Sequence, residues 1–139
     1  MRGLMLYRPL EGALGVVIGG GRIAARKATQ LKAAGARVRC VAPSIDPDLE
    51  CDERVLAAFS AEHLDGASVA MVATDDAEVN HAAARVARER GVPVNVADDP
   101  AYCDFYLPAV VRRGAMTLGV STGGTCSGFV VLVCRRLET

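Results

Sequence analysis

A β-branched run, Val16-Val17-Ile18, stops at Gly19-Gly20-Gly21 and passes through Arg22-Ile23-Ala24 straight into an amphipathic segment. A strand that becomes a helix with only glycines between them leaves room for nothing but a tight turn. Gly19 permits that turn, Gly21 lets the backbone approach a pyrophosphate, and Ala24 lets the helix pack near the strand. The free N–H groups of the first helical turn, reinforced by the helix dipole, then favour a diphosphate. Ile23, Ala24, Ala28, Leu31 and Ala34 form the apolar stripe of this helix and Gly35 closes it. A glycine turn in an ordinary βα unit, holding no ligand, is the competing reading.

At 139 residues the chain suits one domain that buries roughly two-thirds of its unfolded surface. Its apolar share is carried by Ala and Val, as a parallel sheet under alanine-rich helices requires. A formal charge of zero gives the chain as a whole no attraction for nucleic acid or an anionic membrane. Cys40, Cys51, Cys103, Cys126 and Cys134 form no C-x-x-C pair and no metal-ligand spacing with His63 or His81. We therefore expect no metal site, and reduced thiols in a cytoplasmic protein. The N-terminal apolar run is too short for a signal peptide. Gly114 to Cys134 is free of charge and long enough to span a membrane, but Ser121 to Gly128 would set polar groups and glycines at its centre. No membrane partner is expected.

The remaining chain alternates strands and helices. Arg37 to Ala42 is a second strand, Ser44 to Glu53 a loop or short helix, and Val55 to Phe59 a third strand. Val69 to Ala73 is a continuous apolar run and hence a central strand. Asp75 suits the N-cap of the next helix, with Glu78 completing a capping box, Val79, Ala82, Ala83, Val86 and Ala87 on one face, and Gly91 and Pro93 ending it. Val94-Asn95-Val96 is a short fifth strand. The pattern predicts a Rossmann-like α/β fold, a doubly wound parallel sheet. Phe105 to Arg112 and Met116 to Ser121 have no helix between them and should pair antiparallel near the C-terminus. Residues 1–113 are assigned to the nucleotide-binding domain. Residues 114–139 are assigned to a strand and glycine-loop/apolar segment that starts a truncated or missing dimerisation region.

Several blocks, taken in order, resemble the precorrin-2 dehydrogenase/sirohydrochlorin ferrochelatase family, the NAD-binding domain of siroheme synthases. They are Tyr7-Arg8-Pro9-Leu10, Val17 to Ala28, Ala34 to Val38, Val41-Ala42-Pro43, Val72 to Asp76 with Val79-Asn80, Val94 to Pro100, Cys103-Asp104-Phe105, Leu107-Pro108-Ala109 and Val120 to Gly124. The resemblance implies NAD-dependent oxidation of precorrin-2 to sirohydrochlorin, and in some members insertion of ferrous iron. It places the catalytic acid at Asp98. The residues agree on location, since Asp98 lies just beyond the carboxyl end of a central strand, where open α/β sheets bind ligands. There it could accept a proton as hydride leaves for nicotinamide, or take pyrrole protons during metal insertion. The alternative is that Asp98 or Asp99 only caps the turn before Pro100.

Cofactor contacts are expected from Gly19, Gly20, Gly21, Arg22, Ile23, Ala24, Pro43, Ser44, Thr74 and Asp75. No acid stands about 20 residues past the glycines to bind a ribose, and no arginine to bind a 2′-phosphate. The choice of NAD over NADP, with its ribose near Pro43 and Ser44, therefore rests on the resemblance. Precorrin-2 is a polycarboxylate, and Asn95, Arg112, Arg113, Ser121, Thr122, Gly123 and Gly124 are the candidate substrate contacts, the last four as a backbone nest. A solvated turn and a plain loop are their bland readings.

The family pattern continues past Ser-Thr-Gly-Gly into Ser-Pro and an arginine-rich helix, then a helical domain. Here Thr125 to Cys134 lacks the proline, and its apolar run favours strand as much as helix. Val130 to Val133 cannot all be buried on one face. A homodimer whose contact includes residues 129 to 137, with the tetrapyrrole near it, is the expectation. A non-catalytic NAD-sensing module and an unrelated small NAD(P) oxidoreductase are the competing functions.

Overall fold

The computed structural model describes residues 1–138, which divide into two compact units: Arg8–Tyr106, and Met1–Tyr7 together with the chain from Leu107 onward. The larger unit runs β1 (Leu14–Ile18), α1 (Arg22–Ala33), β2 (Arg37–Ala42), β3 (Glu53–Leu56), β4 (Ala67–Val72), α2 (Ala77–Glu89) and β5 (Val94–Val96). Single 3₁₀ turns lie at Ala61–Leu64 and Pro100–Tyr102. The strands stand in the order β3-β2-β1-β4-β5 and every neighbouring pair is parallel. This is the expected doubly wound sheet. Chain direction across the sheet reverses between β1 and β4, which opens a crevice beyond their carboxyl ends.

Packing explains the alanine-rich composition. All of β1 is buried, and Ala24, Ala28 and Leu31 of α1 and Ala83, Ala84 and Ala87 of α2 are fully enclosed. Small side chains let both helices lie close on a sheet whose own faces are filled by Val16, Ile18, Val41, Val72 and Val94.

Both edges differ from the sequence expectation. The third strand is Glu53–Leu56, not Val55 to Phe59. Charges hold it there: Arg39 Nε meets Glu53 Oε2 at 2.7 Å, and Arg54 donates to the carbonyls of Asp46 and Pro47. Such an edge carries no apolar alternation to read, and its charges deter pairing with another chain. The fifth strand is the opposite edge, not a central strand. It is fully buried because its outer side is closed by the segment that follows. The Asp104 N–H donates to the Val94 carbonyl (2.8 Å) and its carboxylate accepts from the Val94 N–H (3.0 Å). Cys103 Sγ accepts from the Val96 N–H (3.1 Å) and donates to the Val96 carbonyl (3.2 Å).

In the smaller unit β6 (Ala109–Arg113) and β7 (Met116–Val120) form the expected antiparallel pair, in register from Ala109↔Val120 to Arg113↔Met116. β6 starts only after Pro108, which has no N–H to give a ladder. The run Phe129 to Leu137 lies in a helix, α3 (Ser127–Glu138). Val130, Val133 and Cys134 share the half-buried stripe of α3, whereas Phe129, Val131 and Leu132 stay exposed. Among the described residues no helix is long and apolar enough to cross a membrane.

Candidate active site

The glycine turn is built at the carboxyl ends of β1, β2 and β4. Gly19 N–H donates to the Val41 carbonyl (2.9 Å), and the Cys40 thiol donates to the Gly19 carbonyl (3.1 Å). Burial first, with Cys51 adding and Arg54 opposing, pushes the Cys40 thiol up to about 11, so it stays a neutral donor at physiological pH. A Cβ on Gly19 would lie 2.3 Å from the Ala73 carbonyl oxygen, and one on Gly20 2.0 Å from that of Ser44. Two of the three glycines are thus required by the chain's own packing.

Gly21 is different. A Cβ there would meet nothing within 4 Å. Gly21 is the N-cap of α1, no side chain caps that helix, and its first turn holds no acid. The N–H groups of Arg22, Ile23 and Ala24 have no hydrogen-bond partner among the described residues. Open space above uncapped donors is the cradle that a dinucleotide diphosphate fits.

The rim of this cradle gathers the other expected cofactor residues. Pro43 and Ser44 follow β2, and the Asp46 N–H ties their loop to the Gly20 carbonyl (2.8 Å). Thr74 and Asp75 follow β4, where Asn80 clamps Thr74 by accepting its N–H (3.2 Å) and donating to its carbonyl (3.1 Å). One correction arises here. Asp76, not Asp75, caps α2, its carboxylate accepting from the N–H groups of Glu78 (2.9 Å) and Val79 (3.3 Å). The Thr74 hydroxyl takes the Asp76 N–H (3.2 Å), which lengthens the turn by a residue and leaves Asp75 exposed on the rim.

Asp98 sits beyond the end of β5 at φ +57°, and no other non-glycine residue among those described has a positive φ. Its neighbour Asp99 is committed to structure. The Asp99 carboxylate meets His81 Nε2 at 2.6 Å, and the His81 ring lies flat on Tyr102 at 3.8 Å and 4°. Asp98 makes no hydrogen bond or ion pair among the described residues and is exposed. The two adjacent acids therefore have separate duties, one anchoring the turn and the other presented by it.

Asn95 of β5, 5 % exposed, is the buried polar residue among those described. Lys27 Nζ reaches over from α1 to its Oδ1 (3.0 Å), and its Nδ2 donates to the Phe105 carbonyl (3.0 Å). Both ends of the amide are thus engaged within the protein, so Asn95 is a tether between α1 and the chain after β5. Desolvation by burial lowers the Lys27 ammonium from its ordinary range, helped by Arg26 and opposed by Cys103 and Asp98. Ile23, Arg26, Lys27, Gln30, Ala97 and Asp98 line a cleft of about 200 Å³. It joins the nucleotide helix to the catalytic candidate. No local pattern marks Lys27 or His81, although Lys27 lies one turn after Ile23 and so on its face of α1.

The remaining candidates lie in the smaller unit. Arg112 and Arg113 are exposed at the turn end of the β6–β7 hairpin, and Arg113 donates to the Glu138 carbonyl (3.3 Å). Ser121, Thr122, Gly123 and Gly124 lie past the other end of the hairpin, before α3. Part of that loop's capacity is spent locally. Ser121 Oγ accepts from the Gly123 N–H (3.1 Å), and Thr122 Oγ1 accepts from the Cys126 N–H (3.0 Å).

Residues 6–109 match the model of a family described as "Putative NAD(P)-binding". Siroheme synthase of Methylobacillus flagellatus is 41% identical to the chain, and that of Stutzerimonas stutzeri 39% identical. Both alignments cover 100% of the chain but 31% of the relative, so the chain spans about a third of these relatives' length. A solved structure described as SirC, precorrin-2 dehydrogenase, superposes with a TM-score of 0.75 at 25% identity, covering 99% of this chain and 70% of that one. With the uncapped glycine turn, the sheet order and this match in agreement, the chain belongs to the family described as putative NAD(P)-binding, and it is similar to siroheme synthases and to a precorrin-2 dehydrogenase.

Proposed function

We infer that the chain is the NAD-dependent module that oxidises precorrin-2 to sirohydrochlorin in siroheme biosynthesis, working in the cytoplasm. The observation that carries this reading is the shared cleft: Ile23 belongs both to the first turn of the nucleotide helix and to the wall that ends at Asp98. Gly19 to Ala24 would hold the diphosphate, with Pro43 and Ser44 beside one nucleoside and Thr74 and Asp75 beside the other. Bound NAD supplies a hydride acceptor. The chain's part is to orient the macrocycle and to remove the proton that its oxidation releases. Asp98 is suited to that step, because an unpaired carboxylate on a fixed turn has lone pairs to accept it. Ferrous iron, as a second substrate, would use the same carboxylate to collect pyrrole protons. Arg112, Arg113 and the Ser121–Gly124 loop are proposed to contact the substrate's carboxylates.

Incubating the chain with precorrin-2 and NAD should produce the sirohydrochlorin absorption together with NADH. Binding of NAD without that product would leave a sensing module.

We also assign residues 129 to 137 to a homodimer contact. Phe129, Val131 and Leu132 are 55, 49 and 60% exposed on α3, a cluster that a monomer leaves in water. Closed two-fold pairing is the usual way to cover such a face. Phe129→Glu with Leu132→Glu places charges one helical turn apart on that face and should shift sedimentation to the monomer. A wild type that sediments as a monomer at high micromolar concentration overturns the assignment.

A further inference from the structure

The cleft beside Asp98 holds two cations that form no ion pair with a carboxylate among the described residues. Lys32, Arg39, Arg88 and Arg90 each pair with one, at Asp52, Glu53, Asp104 and Asp65. Arg26 and Lys27, adjacent on α1, do not, and among the described cations without such a pair these two line the cleft. Lys27 is the more telling of the two. It is only partly exposed, and its one hydrogen bond goes to a neutral amide oxygen, that of Asn95. An ammonium has three donors, so two are left for another acceptor. A half-buried cation beside a second cation is costly until an anion joins them. Asp98 stands on the same cleft but is held by its own turn, and its attraction does not outweigh the effect of burial on Lys27.

We propose that this cleft is an anion subsite in which Arg26 and Lys27 hold one carboxylate arm of the substrate next to Asp98. The proposal rests on the reading of the chain as acting on a polycarboxylate tetrapyrrole. The space fits: a cleft of about 200 Å³ has room for an acetate- or propionate-sized arm. The two signs of charge also set an orientation. A carboxylate drawn to α1 is repelled by Asp98, so the arm lies toward the helix and the carbon skeleton lies toward the proton acceptor. Lys27 then serves two partners, with Asn95 fixing its position from below. Arginine and lysine divide the task, the fork of Arg26 at the exposed rim and the point charge of Lys27 within.

The test uses the full chain, with uroporphyrin, an octacarboxylate porphyrin, as the binding probe and NAD as the control ligand. Arg26→Gln and Lys27→Gln are each expected to weaken uroporphyrin binding about tenfold, the worth of one charge-assisted hydrogen bond. Lys27→Arg should restore it, and calorimetric NAD affinity should not move in any variant. With precorrin-2 the same variants should raise KM and leave kcat near that of the wild type. Should Lys27→Gln fail to fold, Arg26→Gln decides alone, since its side chain is exposed and unpaired. Unchanged uroporphyrin affinity in Arg26→Gln, or no binding by the wild type, overturns the subsite. A loss of NAD affinity with porphyrin binding intact also overturns it, by giving the cations to the cofactor. A wild type that binds uroporphyrin through these residues yet never oxidises precorrin-2 leaves the subsite standing and removes the dehydrogenase reading.

Discussion

Gly21→Val is expected to abolish NAD binding at a cost to the fold of only about 1 kcal/mol, because valine caps a helix less well than glycine. The backbone at Gly21 is extended (φ −95°, ψ −159°), outside the left-handed region that demands glycine, and a Cβ there meets no protein atom within 4 Å. What the side chain would fill is the space above the free N–H groups of α1. Wild-type affinity should fall in the range of roughly 10⁻⁶ to 10⁻³ M usual for enzyme substrates. Gly20→Ala is the matched contrast. Its Cβ would lie 2.0 Å from the Ser44 carbonyl oxygen, which is backbone and cannot swing aside. That variant should lose about 1–3 kcal/mol of stability, as overpacked sites do. Thermal melts and calorimetry on the two proteins separate the roles. If Gly21→Val binds NAD like the wild type, the diphosphate does not sit on α1.

Asp98→Asn should keep NAD affinity and lose turnover by roughly 10²-fold or more, the usual worth of a positioned general base. Asparagine is the appropriate substitution, because with aspartate it is among the residues that tolerate a left-handed backbone. Asp98→Ala would add a strain of about 1–2 kcal/mol and confuse chemistry with folding. Rates are to be read from NADH production with precorrin-2 in excess, alongside NAD titrations of the same preparation. Full activity in Asp98→Asn would return Asp98 to the status of a turn residue.

The parts of the fold that were legible are those where burial dictates residue type. β1, β4 and the apolar faces of α1 and α2 follow from Val and Ala spacing because a two-faced sheet admits little else. β3 was shifted because its position is set by Arg39 and Glu53 across an exposed edge, and long-range ion pairs leave no periodic trace. β5 was placed at the sheet centre because an edge closed by Cys103 and Asp104 is as buried as an interior strand. α3 could not be distinguished from a strand by four consecutive apolar residues, for which helix and sheet compete on equal terms.

The site divides along the same line. The glycine turn and Asp98 were visible as local patterns. The commitment of Asp99 to His81 was not, nor was the reach of Lys27 to Asn95, since each joins residues far apart in the chain. Arg112 and Arg113, expected as cations for a polycarboxylate, and Ser121 to Gly124, expected as a backbone nest for it, lie at opposite ends of one hairpin in the antiparallel register.

The strand order also bears on how this molecule comes into being. β1 lies between β2 and β4, and the latter is completed roughly 50 residues after β1 ends. At synthesis rates of ~5–20 residues/s, about 1.5–6 s separate the end of β2 from the end of β4, and over that interval the β1–α1–β2 half has one flank of its innermost strand unpaired. The glycine turn is unfinished throughout that interval, because the Ala73 carbonyl that packs on Gly19 arrives with β4. The full packing around Gly19 therefore forms only once the late strand has docked. Until then the open side of β1 is an unpaired strand edge, a template on which other chains can pair.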